Sequence, residues 1–439
     1  VGLLGLGVVG GGVAAILLDE SQEISRKVGL PVNLKKILVR DPNKPRDTNF
    51  SSDLITTNPE DVLADPSIKI VVEVIGGTEP AVQYLRDALS AGKHVVTANK
   101  EMMAKFGPEL LDLARQNRVN LLFEASVGGG IPIVGSLMSQ LLANDIHSIR
   151  GIINGTTNYI LTQMAQEHTD FDQALREAQQ QGFAEADPTN DVEGFDAVYK
   201  LSILASLAFH QRVSPDDIYR QGITNLQPQD FRYAQELGYA IKSLAVATLE
   251  QREIRGRVYP ALVPVDHMLA KVDGVYNAVE VTGSLCGQVL FHGRGAGRRP
   301  TASAVLGDLI DIGRRLHFNG PLVSGPLVSG PLVSGPPISI SESGYACPVR
   351  SIDDLETQYY IRLNIADQAG VLAQVAKILG DRRISIASVL QKDTFPEEQK
   401  AELVITTHPA RDASVREALR LVAGLEVVNE VCNMLRIEG

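Results

Sequence analysis

Between residues 182 and 200 the sequence reads GFAEADPTNDVEGFDAVYK: five carboxylates (Glu185, Asp187, Asp191, Glu193, Asp196) ahead of one cation, Lys200. On a helix Asp196 and Lys200 share a face, four positions apart with the acid first, the favourable order for an ion pair. At a solvated surface such a pair is worth only about 0.3–0.5 kcal/mol. In a cleft the same pair sets a proton donor beside the acceptor that controls its charge. The acids also suit a solvated helix start, with Asp187 and Pro188 as its cap and first residue. Upstream, Asn154-Gly155-Thr156-Thr157-Asn158 offers hydroxyls that could cap a helix or hold a small ligand; the cap, by the Thr pair, is the simpler expectation. Lys100, in TANKE, is equally a surface lysine or a cation near a reacting carbonyl. Transition-metal chemistry is disfavoured, because Cys286, Cys347 and Cys432 are odd in number and far apart, and the eight histidines form no ligand spacing.

These groups need elements to hold them. VGLLGLGVVGGGVAAILL places Gly5-x-Gly7-x-x-Gly10 between an apolar strand and an apolar helix. Gly5 would allow the tight turn, Gly7 the approach of a pyrophosphate and Gly10 close helix packing, with the phosphates at the helix N-terminus. Gly5, Leu6, Gly7, Val8, Val9 and Gly10 are therefore candidate cofactor contacts. Parallel strands are expected at KKILVRD and over 68–77, 92–100 and 119–127, alternating with helices, as in a doubly wound sheet. Where the second strand ends, Arg40 favours the 2′-phosphate of NADP, while Asp41 leaves NAD open; Lys44 and Arg46 follow closely. The loops GGTEP (with Thr78) and TANKE (with Lys100) fall at strand ends, where the nicotinamide should bind.

At 439 residues the chain is long enough for two or three domains, and 44% hydrophobic with 21% charged residues is ordinary globular composition. A net charge of −11 argues against general affinity for nucleic acid or anionic membrane. Cysteine usage points to a reducing cytoplasm. Residues 1–18 carry no charge, yet six of them are glycine, which speaks against a membrane span. The chain opens without methionine in what reads as a strand, so a few residues are expected to be missing there.

The run Ala178-x3-Gly182-Phe183-Ala184-x2-Asp187-Pro188-x2-Asp191-Val192-x-Gly194-x-Asp196-x3-Lys200 resembles the signature of the homoserine dehydrogenases. TANKE, EASVGGGIP, NGTTNYI and GRGAGRRPTASAVLGDL extend the likeness over roughly the first 315 residues. The resemblance implies NAD(P)H-dependent reduction of aspartate 4-semialdehyde to homoserine. It assigns Lys200 as the catalytic lysine, Asp196 as its companion and Lys100 as a second active-site lysine. Glu185 and Asp191 would bind the substrate ammonium, with Thr157 beside them. Glu124, Val127, Gly129 and Ile131 match positions that hold a sodium ion in relatives; on the residues alone this is equally a glycine-rich hinge. Gly297, in GRGAG, marks a late return to the nucleotide site, and Arg298-Arg299 departs from the family pattern.

GPLVS occurs three times over 320–334 and reads as a semi-extended linker. Beyond it, strand and helix signals run βαββαβ, a ferredoxin-like module. ADQAGVLAQV at its first loop resembles an ACT domain, with Asp367, Gly370, Val371 and Leu372 as the effector loop and threonine as the expected effector. The plainer alternative for this tail is a structural or dimerising module. The organisation expected is thus α/β overall. It comprises a Rossmann-type domain (1–132), an α+β catalytic and dimerisation domain (133–316, with 293–316 returning to the nucleotide domain), a linker (317–352) and an ACT domain (353–439). A homo-oligomer is expected. The alternatives are another NAD(P) oxidoreductase with an ACT tail, or a sensor of cofactor and amino acid without catalysis.

Overall fold

Short apolar runs separated by glycine-bearing turns make the first sheet: β1 (Gly2–Leu4), β2 (Lys36–Leu38), β3 (Ile55–Thr56), β4 (Ile70–Glu73), β5 (His94–Thr97) and β6 (Leu121–Leu122). The computed structural model describes residues 1–44, 50–318, 347–392, 394–395 and 399–438. All six strands are parallel, in the order β3-β2-β1-β4-β5-β6, the arrangement of a dinucleotide-binding fold. Leu3, Ile37, Val72 and Val96 are buried on one face against Val13 and Leu17 of the helix Val8–Asp19. Ala302, Val305 and Leu309 of the helix Arg298–Phe318 join the same core. Strands covered by helices on their faces need such unbroken apolar stretches. β3 carries no strong sequence signal and is an addition to the expected strands.

The chain divides into two units by its contacts. The first holds Val1–Ile149, Tyr199–Pro215 and the described chain from Asn277 to Phe318; it therefore includes residues 133–149 and 199–215 in addition to the nucleotide sheet. The second holds Arg150–Val198, Asp216–Tyr276 and Cys347–Gly439.

β7 (Ile146–Ile152) runs across the division in sequence; β8 (Tyr219–Arg220), β9 (Tyr239–Glu250) and β10 (Glu253–Pro264) belong to the second unit. The hairpin of β11 (Tyr276–Gly283) and β12 (Gly287–Arg294) leads into the helix Arg298–Phe318. The last elements are β13 (Glu356–Ala366), β14 (Ile386–Leu390), β15 (Thr394–Phe395), β16 (Lys400–Thr407), β17 (Ala410–Arg411) and β18 (Val428–Ile437). With the helices Val371–Asp381 and Asp412–Val422 they give the expected βαββαβ order, and the main strands pair as β18-β13-β16-β14.

The tail is not a separate body on a tether. β18 pairs in parallel with β10, Ala261 opposite Arg436 and Leu262 opposite Ile437. Tyr360, Val404, Leu435 and Ile437 share one core with Tyr159, Leu161, Ile241 and Leu262. The GPLVS repeat lies outside the described residues, but the end of the expected linker does not: Val349 bridges to Ile254, and the Arg350 amide donates to the Ile254 carbonyl at 2.8 Å. Residues 317–318 belong to the preceding helix.

Candidate functional site

The turn after β1 is built on backbone proximity. Gly5 sits at φ 103°, and a Cβ there would lie 2.8 Å from the Val74 carbonyl. A Cβ on Gly10 would lie 2.2 Å from the Gly5 carbonyl, so the helix Val8–Asp19 is packed directly on its own turn. Nothing lies within 4 Å of a Cβ at Gly7, which leaves that backbone open. Leu6 and Val9 are half-buried, while Val8 is 70% exposed on the first turn. Arg298 lies along the same turns: its Nη2 is 3.5 Å from a Cβ placed on Gly11, and its Cγ 2.9 Å from one on Gly12. Gly297, at φ 115°, starts that approach. Arg40 and Asp41 are exposed just past β2, and Asp41 accepts the Asn43 amide at 2.9 Å. Arg46 lies outside the described residues.

Glu73, at the end of β4, was missed by sequence reasoning. It is fully buried, accepting the Thr97 hydroxyl at 2.5 Å and the amides of Ile75 at 2.8 Å and Gly76 at 3.4 Å. Burial pushes its carboxyl up, against those hydrogen bonds. Asn99 donates to the Gly77 carbonyl at 2.6 Å and caps the helix Lys100–Gln116 by accepting the Met102 amide. The loop with Thr78 and the loop with Lys100 are thereby tied together, and Lys100 is the first residue of that helix. An acid closing an otherwise apolar strand was the available signal.

The acids of the second unit do not lie on one helix. Glu185 and Asp187 precede a single turn, Thr189–Val192, and the chain then breaks at Gly194 (φ 84°) before the helix Phe195–Ala208 begins. Asp187 accepts the Thr189 amide at 3.1 Å, close to the expected cap. Asp196 and Lys200 remain one turn apart on the longer helix, with exposures of 5% and 9%. Asn154 joins the acids: its Nδ2 donates to Asp191 Oδ1 at 2.7 Å and to Asp196 Oδ2 at 2.9 Å. Its Oδ1 accepts the Thr157 amide at 2.8 Å, so Asn154, and not the Thr pair, caps the helix Gly155–Glu167. Thr157 turns its hydroxyl to the Asn154 carbonyl at 3.2 Å, and Thr156 donates to the Phe183 carbonyl at 2.8 Å. Glu185 is exposed, its carbonyl fixed by Gln179 at 3.1 Å.

The turn holding Glu124, Val127, Gly129 and Ile131 is largely buried. The Glu124 carboxylate accepts the amides of Val134 at 2.9 Å and Gly135 at 2.6 Å, and burial pushes it up. Asp308 accepts the Glu124 amide at 2.9 Å; burial pushes this acid to about 8, against that amide bond and helped by the Glu124 and Asp311 charges. The Glu124 carboxylate already accepts these amides, so backbone oxygens of the turn would supply most of the ligands to a cation here. Among the described residues no three His, Cys, Asp or Glu side chains group as metal ligands, and no helix is long and apolar enough to cross a membrane. In the tail Gly370 (φ 90°) precedes the helix Val371–Asp381. Asp367 and Gly370 are exposed, Val371 is buried and Leu372 is 41% exposed.

Three family models match the chain: homoserine dehydrogenase, NAD binding domain, over 5–124; homoserine dehydrogenase over 132–310; and ACT domain over 359–426. A homoserine dehydrogenase from Synechocystis sp. is 43% identical over 441 residues, covering 100% of this chain and 99% of that protein. The crystal structure of a homoserine dehydrogenase from Thiobacillus denitrificans has a TM-score of 0.88 at 41% identity, covering 100% of this chain and 97% of its own. A hyperthermophilic archaeal homoserine dehydrogenase in complex with NADPH has a TM-score of 0.61 at 29% identity, covering 72% of this chain and 97% of its own.

Proposed function

The chain belongs to the homoserine dehydrogenase family, NAD(P)-dependent oxidoreductases, here with an ACT domain, and from that premise we propose how its residues divide the work. The reaction is the reversible reduction of L-aspartate 4-semialdehyde to L-homoserine. Glu185 and Asp191 take the substrate ammonium, with Thr157 beside them. Lys200 holds the aldehyde oxygen and gives it a proton as negative charge develops, and Asp196 keeps that lysine charged until then. Lys100 is a second cation for the substrate and the nicotinamide end of the cofactor. The bound cofactor supplies the hydride. Residues 5–10, Thr78 and Gly297 cradle it.

The observation that carries this reading is Asn154, which holds Asp191 and Asp196 on one amide while Lys200 follows one turn later. NADP is the proposed cofactor, supported by exposed Arg40 past β2 and by the NADPH complex of the archaeal relative. The carbonyls of Glu124, Val127, Gly129 and Ile131 would hold a sodium ion, whose charge would stiffen that turn without entering the chemistry. Threonine is the proposed effector, received by Asp367, Gly370, Val371 and Leu372. The enzyme is proposed to be a cytoplasmic homo-oligomer. The direct test is loss of absorbance at 340 nm with aspartate semialdehyde, run separately with NADPH and NADH. Turnover with both and a lower KM for NADPH is expected; no turnover with either overturns the assignment of these residues.

A further inference from the structure

β8 lies between the tail and the acid loop and bonds to both. On one side, Arg220 donates to the Glu193 carbonyl, its guanidinium lies 3.6 Å from the Phe195 ring centroid, and its Nη1 is 3.6 Å from Glu193 Oε2. The Ile223 amide donates to the Val192 carbonyl at 2.9 Å. Between them, a Cβ on Gly222 would lie 2.8 Å from both the Val192 carbonyl and Glu193 Oε2, so the two segments touch backbone to backbone. Residues 192–195 are the link between Asp191 and Asp196.

On the other side, Arg436 of β18 donates to Gln221 Oε1 at 3.1 Å and lies 5.0 Å from the Tyr219 ring. Arg436 is fully buried and held by Asp412, at the start of the helix Asp412–Val422, through Nε at 2.8 Å. A cavity of about 590 Å³ borders the same strap, lined by Tyr219, Gln221, Thr224 and Asn225 and by Glu430 and Cys432. The strap is also anchored to the sheet between these contacts: β8 pairs in parallel with β10, Tyr219 opposite Arg257 and Arg220 opposite Val258, the Gln221 amide donates to the Val258 carbonyl at 2.9 Å, and Ile223 is buried.

We propose that the strap 219–223 positions two site acids, Asp191 and Asp196, with Arg220 and Gln221 as positioning residues that transmit to them the placement of β18. The proposal rests on the reading of Asp191 as a substrate ligand and of Asp196 as the companion of Lys200, but its mechanical half does not. Loss of the Arg220 bond frees the Glu193 carbonyl and the Phe195 ring together. The link 192–195 is then left to the Ile223–Val192 bond and the acids to Asn154 alone, so their spacing loosens while the nucleotide loops are untouched. Loss of the Gln221 bond removes the strap's hydrogen bond to Arg436, the Tyr219 contact remaining, without touching the acid loop, so its effect should be the same in kind and smaller.

The test uses the full chain with Arg220→Gln and, separately, Gln221→Met, each checked for a cooperative thermal transition. Hydrogen–deuterium exchange over 189–196 and KM values for homoserine and NADP are measured in each. Arg220→Gln should raise the homoserine KM about tenfold, and Gln221→Met about threefold, with the NADP KM within about twofold of wild type and exchange over 189–196 faster in both. Unchanged exchange in both variants, or an equal rise in both KM values, overturns the proposal. Should the wild type fail to turn over homoserine, the functional reading falls and the exchange measurement alone decides the strap. If Arg220→Gln does not fold, Gln221→Met decides, because the bond it removes runs to Arg436 and not to the acid loop.

Discussion

Asn154 does two jobs that a threonine or an aspartate could not combine. Its carbonyl caps a helix while its amide holds two carboxylates, at 2.7 and 2.9 Å. Replacing it by aspartate keeps the cap acceptor but sets a third negative charge where the donor stood. Asn154→Asp should lower kcat/KM for homoserine about 10–100-fold, mostly through KM, while the NADP KM holds, as steady-state kinetics would show. Lys200→Ala should instead strike kcat, because its charge matters most as the alkoxide forms. A loss of about 3–4 kcal/mol of transition-state stabilisation is expected, and retention of more than about a tenth of wild-type turnover would exclude the role. The acids and the lysine are legible in the sequence because their spacing is covalent. Asn154 is not, since its partners lie 37 and 42 residues away, and only the fold brings an amide to them. The neighbouring threonines look the better caps because local chemistry cannot rank three capable side chains in so short a run.

Glycine chemistry makes the nucleotide turn readable at the scale of the element. The strand–turn–helix sequence allows few other outcomes, and Gly10 shows why: a methyl group there would press on the Gly5 carbonyl at 2.2 Å. Gly10→Ala should force the helix off β1, costing about 1–3 kcal/mol in stability and weakening cofactor binding more than substrate binding. Thermal melts with and without NADPH would separate the two effects. Arg298 bears on the same helix. Its approach to Gly11 and Gly12 gives the first of the two unexpected arginines a place beside the glycine turn. Arg40→Ala should raise the KM for NADPH and narrow its advantage over NADH, by about 1.5–3 kcal/mol if the contact is charge-assisted. Equal NADPH kinetics in wild type and variant would move that contact elsewhere. Apolar periodicity fails at one element. Phe195, Val198 and Leu201 keep helical spacing past Val192, so the pattern runs straight through a break set by Gly194 in the left-handed region.

For the whole molecule, the repeat and the complete βαββαβ pattern beyond it suggest a tail that could be cut away. Strand order cannot be read from a sequence in which β10 and β18 lie roughly 160 residues apart and each looks complete by itself. The second unit instead runs β9-β10-β18-β13-β16-β14, and Glu438 closes the β10–β18 join. The Glu438 Oε1 accepts from Arg257 Nη2 at 2.7 Å and from the Tyr259 hydroxyl at 2.5 Å, and its amide donates to the Leu262 carbonyl at 2.9 Å. Burial alone would raise this carboxyl, but the Arg257 charge and these hydrogen bonds prevail and hold it below the usual range. A depressed carboxylate stabilises the fold above its unfolded pKa, and that stability is lost as pH falls through the folded value. Glu438→Gln should therefore lower the Tm at pH 7 and shrink the difference in Tm between pH 7 and about pH 4. A chain ended at Ser334 loses more. It uncovers one edge of β10, strips Tyr360, Val404, Leu435 and Ile437 from a shared core and leaves Arg257 buried without its acid. Removing one partner of a buried pair alone costs about 3–5 kcal/mol, and an exposed apolar strand edge invites association. The truncated chain should thus be aggregated or inactive, rather than active and merely deaf to threonine. Light scattering and homoserine turnover on the purified fragment check this: a monodisperse, fully active fragment would mean that β18 contributes nothing the catalytic unit needs.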